Sequence, residues 1–127
     1  MAQRLPPELE NLVTRYQNLQ AQYTRIVQER TTVEAELGET DNIIKLLEEV
    51  EENTPVYRLL GTILVRTDRG KLLQELKDRK EILELRLEKL KKQETELRKQ
   101  LDKVAQEIKQ MQLKLGYQLG KPGGSGG

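Results

Sequence analysis

The chain of 127 residues contains no cysteine, no histidine, no tryptophan and no phenylalanine. Without cysteine there is no disulfide framework, no thiolate nucleophile and no thiolate-ligated metal site. Without histidine there is no imidazole ligand and no side chain that titrates near neutrality when unperturbed. Aromatic residues make up only 3% of the chain, all of them among its four tyrosines. Because aromatic rings carry much of the apolar area of ordinary cores, their scarcity argues against a single round core and for a long, thin one. Long apolar runs are missing too. The longest are two or three residues, against the roughly 20 a membrane span requires, and Pro6-Pro7-Glu8 falls where a signal peptide would need an apolar stretch. Neither sign of charge dominates, with 22 basic and 21 acidic side chains, so overall charge gives no warrant for nucleic-acid or anionic-membrane binding. These absences describe a soluble, cytoplasmic protein without conventional catalytic equipment.

What is present is a heptad pattern. Steps of three and four from Leu9 land on Leu9, Leu12, Tyr16, Leu19, Tyr23, Ile26, Arg30, Val33, Leu37, Thr40, Ile44 and Leu47, interrupted only by Arg30 and Thr40. The same walk from Leu73 lands on Leu73, Leu76, Lys80, Leu83, Leu87, Leu90, Glu94, Leu97, Leu101, Val104, Ile108, Met111 and Leu115, interrupted only by Lys80 and Glu94. Sustained 3-4 spacing of this kind predicts two long helices with a coiled-coil seam. Pro6 and Pro7 suit the first helical positions, Glu8 and Glu10 favour the positive end of the helix dipole, and Asn53-Thr54-Pro55 stops the first helix. Asp68 is the expected N-cap of the second helix and Gly116 its C′ residue.

The helices then run about 8–52 and 69–115, each roughly 65–70 Å long at 1.5 Å per residue, and are expected to fold back on each other as an antiparallel hairpin. Residues 8–52 carry 4 basic and 11 acidic side chains, whereas residues 69–118 carry 14 basic and 9 acidic, so the two helices attract modestly. Arg30 and Glu94 fall in adjacent layers of such a hairpin, where they either snorkel to water or fix the register as a pair. Gly38 lies on the outer face of the first helix, at a cost of about 1 kcal/mol relative to Ala.

Between the helices, Val56-Tyr57-Arg58-Leu59-Leu60-Gly61-Thr62-Ile63-Leu64-Val65-Arg66-Thr67 abandons the helical period. Its β-branched and apolar content with a central Gly61 predicts a short β-hairpin over about 55–67. Leu59, Leu60, Ile63, Leu64 and Val65 alternate onto both faces of the pleat. A lone two-stranded hairpin is marginal in water, and one with two apolar faces demands strands from other chains. The competing reading is a hairpin packed on its own helices.

The layout of long helix, single apolar hairpin and long helix, with Pro55-Val56-Tyr57-Arg58-Leu59-Leu60-Gly61-Thr62-Ile63-Leu64-Val65-Arg66 at its centre, resembles prefoldin, specifically the β-class subunit of archaeal type. The resemblance runs from about residue 8 to 117, and its specific part is the linker 54–70, since heptads recur in unrelated proteins. It implies a single prefoldin-like domain over 1–120, followed by a flexible Gly/Ser tail at 121–127 of native or added origin. It also implies a heterohexamer of two α-class and four β-class subunits, with the hairpins joined in a double β-barrel platform and six coiled-coil arms hanging from it. Non-native polypeptides would be captured between the arm tips without ATP and passed to a group II chaperonin. The absence of a G-x-x-x-x-G-K-[ST] phosphate loop agrees with ATP independence.

No catalytic residue, cofactor or metal site is expected. The carboxylates Glu48, Glu49, Glu51 and Glu52 lie at the end of an exposed helix, without the pocket a general acid or base needs, and read as a solvated face rather than a hard-cation site. Lys89, Lys91 and Lys92 form the densest basic run, but Glu88 and Glu94 flank it and no aromatics interleave, which speaks against nucleic acid. Two surfaces remain. Val56, Tyr57, Leu59, Leu60, Ile63, Leu64 and Val65 would be buried on assembly. At the arm tip, where the start of the first helix meets the end of the second, Leu5, Leu9, Leu12, Val13, Met111, Leu113 and Leu115, together with Leu119, are the candidates for client capture. Leu9, Leu12, Met111 and Leu115 also belong to the seam, and the competing reading is that they only zip the arm shut; Val13 and Leu113 lie off it and are the better candidates. The alternative function is a structural coiled-coil scaffold or adaptor that oligomerises through the hairpin.

Overall fold

The computed structural model describes residues 5–116. Helix α1 (Pro7–Glu49) leads into strands β1 (Val56–Leu60) and β2 (Ile63–Thr67), and helix α2 (Arg69–Leu115) completes the fold. The two strands pair antiparallel, and no further strand occurs among the described residues.

The helix boundaries follow from local chemistry. Pro7 opens α1, where its missing N–H is not needed, and the Glu10 amide donates to the Pro6 carbonyl at 2.9 Å. Asp68 caps α2: its carboxylate accepts the Lys71 amide at 2.8 Å and its carbonyl accepts the Leu72 amide at 2.9 Å. Such a cap contributes about 0.5–2 kcal/mol. Gly116 takes φ +77° beyond the end of α2, the left-handed conformation of a C′ glycine. Helix α1 stops at Glu49, three residues before the expected end, and the Thr54 amide turns back to the Glu51 carbonyl at 2.9 Å. Glu48, Glu49, Glu51 and Glu52 crowd negative charge at the negative end of the dipole, and the last turn of α1 holds no basic residue. The helix gives up its final turn there.

The seam is the buried line. Every position of the walk from Leu9 to Leu47 is buried or half-buried, as is every position from Leu73 to Met111; Leu115 is exposed. The chain divides into two compact units, Met1–Val27 with Lys92–Gly127, and Gln28–Lys91. In the first, Leu19, Leu101 and Val104 form a core against which Leu12, Tyr16, Tyr23, Leu97 and Ile108 pack. The second buries Val33, Ile44 and Leu47 of α1 and Leu83 and Leu90 of α2. Thr40, a polar interruption of the seam, is also buried, and its hydroxyl donates to the Glu36 carbonyl at 2.8 Å, so this buried donor is satisfied.

Within the second unit the ion pairs between helices run from acids of α1 to bases of α2: Glu36 with Arg79 at 3.3 Å, Asp41 with Lys80 at 2.7 Å and Glu48 with Lys77 at 3.7 Å. This is the sense predicted by the opposite net charges of the helices. Arg30, a seam interruption, donates to Glu34 one turn onward in its own helix at 2.6 Å.

Candidate functional site at the hairpin and the helix ends

Gly61 sits at φ +62° and no other described residue outside glycine has positive φ. A two-residue turn with glycine first and a negative φ second is the type II′ arrangement, whose twist matches that of the strands it joins. The register pairs Val56 with Thr67, Tyr57 with Arg66, Arg58 with Val65, Leu59 with Leu64 and Leu60 with Ile63. Directly opposed residues share a face. One face therefore carries Tyr57, Leu59, Leu64 and Arg66; the other carries Val56, Arg58, Leu60, Ile63, Val65 and Thr67.

Both faces are open. Tyr57, Leu59, Leu60, Ile63, Leu64 and Val65 are each 42–67% exposed, while Val56 and Thr67, at the base, are half-buried. The intramolecular alternative, with the hairpin packed on its own helices, is not the arrangement adopted. At about 1.5–3 kcal/mol for each fully buried side chain, covering these six would contribute roughly 5–10 kcal/mol before the costs of association.

Two arginines fasten the hairpin base. Arg58, on the Val56 face, donates to Glu75 of α2 at 2.9 Å. Arg69, the first residue of α2, reaches the Leu47 carbonyl near the end of α1 through Nε at 2.9 Å and a terminal nitrogen at 2.5 Å. That carbonyl is one of the orphan acceptors at a helix C-terminus, and the guanidinium supplies the positive charge α1 lacks there. The sequence reading had not singled out Arg69. Asp41 and Lys80 were also missed as a pair, although Lys80 stood out as a seam interruption and a fold-back point near residue 62 places it opposite residue 44, within a helical turn of Asp41. The hydrogen bond from Lys80, helped by Lys45 at 3.3 Å, holds the Asp41 carboxyl below its ordinary 3.8, and the same bond raises Lys80 above 10.5.

In the first unit, Leu12 and Met111 line an open groove of about 610 Å³, with Glu8, Arg15, Glu107 and Lys114 around it. Of the other tip candidates, Leu9 is fully buried, Leu5 and Val13 are half-buried, Leu115 is 41% exposed and Leu113 is 73% exposed. Leu119 lies outside the described residues. Seam burial therefore separates this set into zipper residues and open ones. Ile43, Leu46, Ile82 and Leu85, which a walk along the seam passes over, are 45–64% exposed. Among the described residues no cluster of three or more acidic groups could hold a metal ion, and no helix is long and apolar enough to cross a membrane.

The family model for prefoldin subunits matches residues 10–114, spanning both helices and the hairpin. The chain belongs to the prefoldin family. Within the family it resembles the β subunits: it is 41% identical over 126 residues to prefoldin subunit beta of Pyrobaculum calidifontis, covering 98% of this chain and 100% of that one. It is 38% identical over 120 residues to prefoldin subunit beta of Sulfurisphaera tokodaii, covering 94% of this chain and 96% of that one. The crystal structure of the prefoldin beta subunit from Thermococcus strain KS-1 superposes with a TM-score of 0.76 at 30% identity, covering 87% of this chain and 96% of that one. The prefoldin fold explains why the exposed hairpin sits between two long helices. The family is one of chaperone subunits, in line with the resemblance carried by the linker.

Proposed function

We propose that this chain is the β-class subunit of an ATP-independent holding chaperone in the cytoplasm. It assembles with an α-class subunit through its hairpin, in a hexamer of two α-class and four β-class chains. It captures non-native polypeptides at the arm tips and passes them to a group II chaperonin. The observation that carries the reading is the hairpin: six large apolar side chains on two open faces, with both strand edges unpaired, which a partner's strands would cover.

At the tip, the Leu12–Met111 groove and the exposed Leu113 offer small apolar surfaces among charges. Each is weak alone. Several arms around one cavity raise the effective concentration, so that avidity exceeds single-site affinity by roughly 10²–10⁴. Flexible Leu and Met contacts suit clients with no common sequence.

Light scattering of the chain alone and mixed with an α-class subunit tests the assembly. A shift to six chains on mixing supports it, whereas a stable dimer indifferent to the partner points to a plain coiled-coil scaffold. For the tip, Val13→Ser combined with Leu113→Ser is expected to weaken suppression of client aggregation and leave assembly intact. Unchanged suppression by this variant removes the capture role from these residues.

A further inference from the structure

The two edges of the hairpin differ in charge. In a hairpin closed by a two-residue turn the flanking pair, Leu60 and Ile63, is hydrogen-bonded, and the alternation along the ladder then makes Leu59–Leu64 and Tyr57–Arg66 the non-hydrogen-bonded pairs. The backbone N–H and C=O groups of those four residues point away from the partner strand. The open edge of β1 is thus presented by Tyr57 and Leu59, and that of β2 by Leu64 and Arg66.

Residues 55–67 contain two arginines and no carboxylate. Arg58 is already satisfied by Glu75. The Arg66 side chain is exposed and takes no ion pair or hydrogen bond among the described residues. It stands on the face it shares with Tyr57, Leu59 and Leu64, which is otherwise apolar. Glu52 and Asp68 line the same cleft as Arg66 at the hairpin base without pairing with it, so covering that face would strip water from a cation that has no ion pair, and such a charge is costly unless the covering strand brings an opposite one.

We infer that the open edge of β2 selects a strand of a non-identical subunit that carries a carboxylate facing Arg66, and that Arg66 disfavours a second copy of this chain at that edge. This rests on the hairpin being the assembly surface. A two-fold pairing of β2 with β2 of a second copy that uses both Leu64 and Arg66 centres on Val65. It places each Arg66 opposite Leu64 of the other copy and diagonal to the other Arg66, about 7–8 Å away. Like charges on a face being buried oppose that pairing, and neither hairpin holds an acid to relieve them. The edge of β1 carries no such charge. The chain therefore has one apolar edge tolerant of many strands and one cationic edge that discriminates, which is specificity by disfavouring the wrong partner as well as favouring the right one.

The test compares wild type, Arg66→Glu and Arg66→Leu, with Lys71→Glu as a charge-matched change outside the hairpin. Each is measured alone and with an α-class subunit by light scattering and titration calorimetry, at about 0.05 and 0.5 M salt. Arg66→Glu is expected to bind the α-class subunit about tenfold more weakly than wild type, with the gap narrowing at high salt, while Lys71→Glu binds as wild type does. Arg66→Leu alone is expected to self-associate at about tenfold lower concentration than wild type. Binding by Arg66→Glu indistinguishable from wild type overturns the facing carboxylate. An Arg66→Leu chain no more self-associating than wild type overturns the barrier to self-pairing, and this arm needs no partner. If wild type itself fails to assemble with the α-class subunit, the assembly reading is what falls; if wild type and Arg66→Glu assemble alike, only the role of Arg66 does.

Discussion

Leu59 and Leu64 face each other across the hairpin and are 67% and 66% exposed, so the double change Leu59→Ser with Leu64→Ser separates assembly from folding. In the isolated chain the two side chains contribute little, and surface substitutions of this kind usually stay within about 0.5 kcal/mol. In an assembly that covers the face, their open fractions amount to about one and a third side chains. Losing their burial costs roughly 2–4 kcal/mol for each hairpin, before the penalty for enclosing two hydroxyls without partners. At 1.4 kcal/mol per factor of ten, the dissociation constant rises about 30- to 700-fold. Sedimentation or light scattering of the chain with an α-class subunit over a dilution series reads this shift, and thermal unfolding of the chain alone supplies the reference. Undiminished assembly would refute the hairpin as the interface. A drop of several kcal/mol in the stability of the isolated chain would refute it differently, because those leucines would then already be packed within the monomer.

The cross-helix pair of Asp41 and Lys80 has a pH signature. Asp41 titrates below its ordinary 3.8, so its contribution is complete above that value and is lost as pH falls through the lower, folded one; Lys80 titrates above 10.5, so its contribution is complete below that value and is lost as pH rises through the higher one. The stability difference between wild type and Asp41→Asn, read from urea midpoints, is expected to be flat between about pH 5 and 9 and to close at both extremes. A difference that persists unchanged to pH 2 would assign it to packing instead of charge. Arg69→Ala should lower stability by about 1.5–3 kcal/mol, the usual range for a hydrogen bond to a charged group, with Arg69→Lys recovering part of it by restoring positive charge at the end of α1. Equal midpoints for Arg69→Ala and wild type would show that the Leu47 carbonyl is as well served by water.

The seam residues, the cap at Asp68, the turn at Gly61 and the stop at Gly116 were legible because each depends on chemistry within a few residues of itself. A heptad repeat, a carboxylate three residues ahead of an amide, and a glycine where φ must be positive all act locally. The end of α1 was read three residues too late because the spacing does not register how strongly four glutamates oppose the helix dipole. Pairings between helices were harder. Sliding one heptad seam along another by seven residues buries leucines equally well, so periodicity alone does not choose between Asp41–Lys80 and other acid–base combinations. The length of the linker and the reach of individual side chains make that choice.

The sequence by itself determined two long helices joined by an apolar hairpin, an excess of acid on one helix and base on the other, and the absence of cysteine and histidine. Tertiary structure decided which apolar residues stay open. Leu9 and Leu113 are the same side chain near opposite ends of the sequence, yet one is fully buried and the other 73% exposed, because only the first points into the seam. Tertiary structure also decided that Arg58 is occupied by Glu75 while Arg66 takes no ion pair or hydrogen bond among the described residues. The two arginines are alike in the sequence; strand alternation puts them on different faces of the hairpin, and only the face of Arg58 brings a guanidinium within reach of Glu75 on α2.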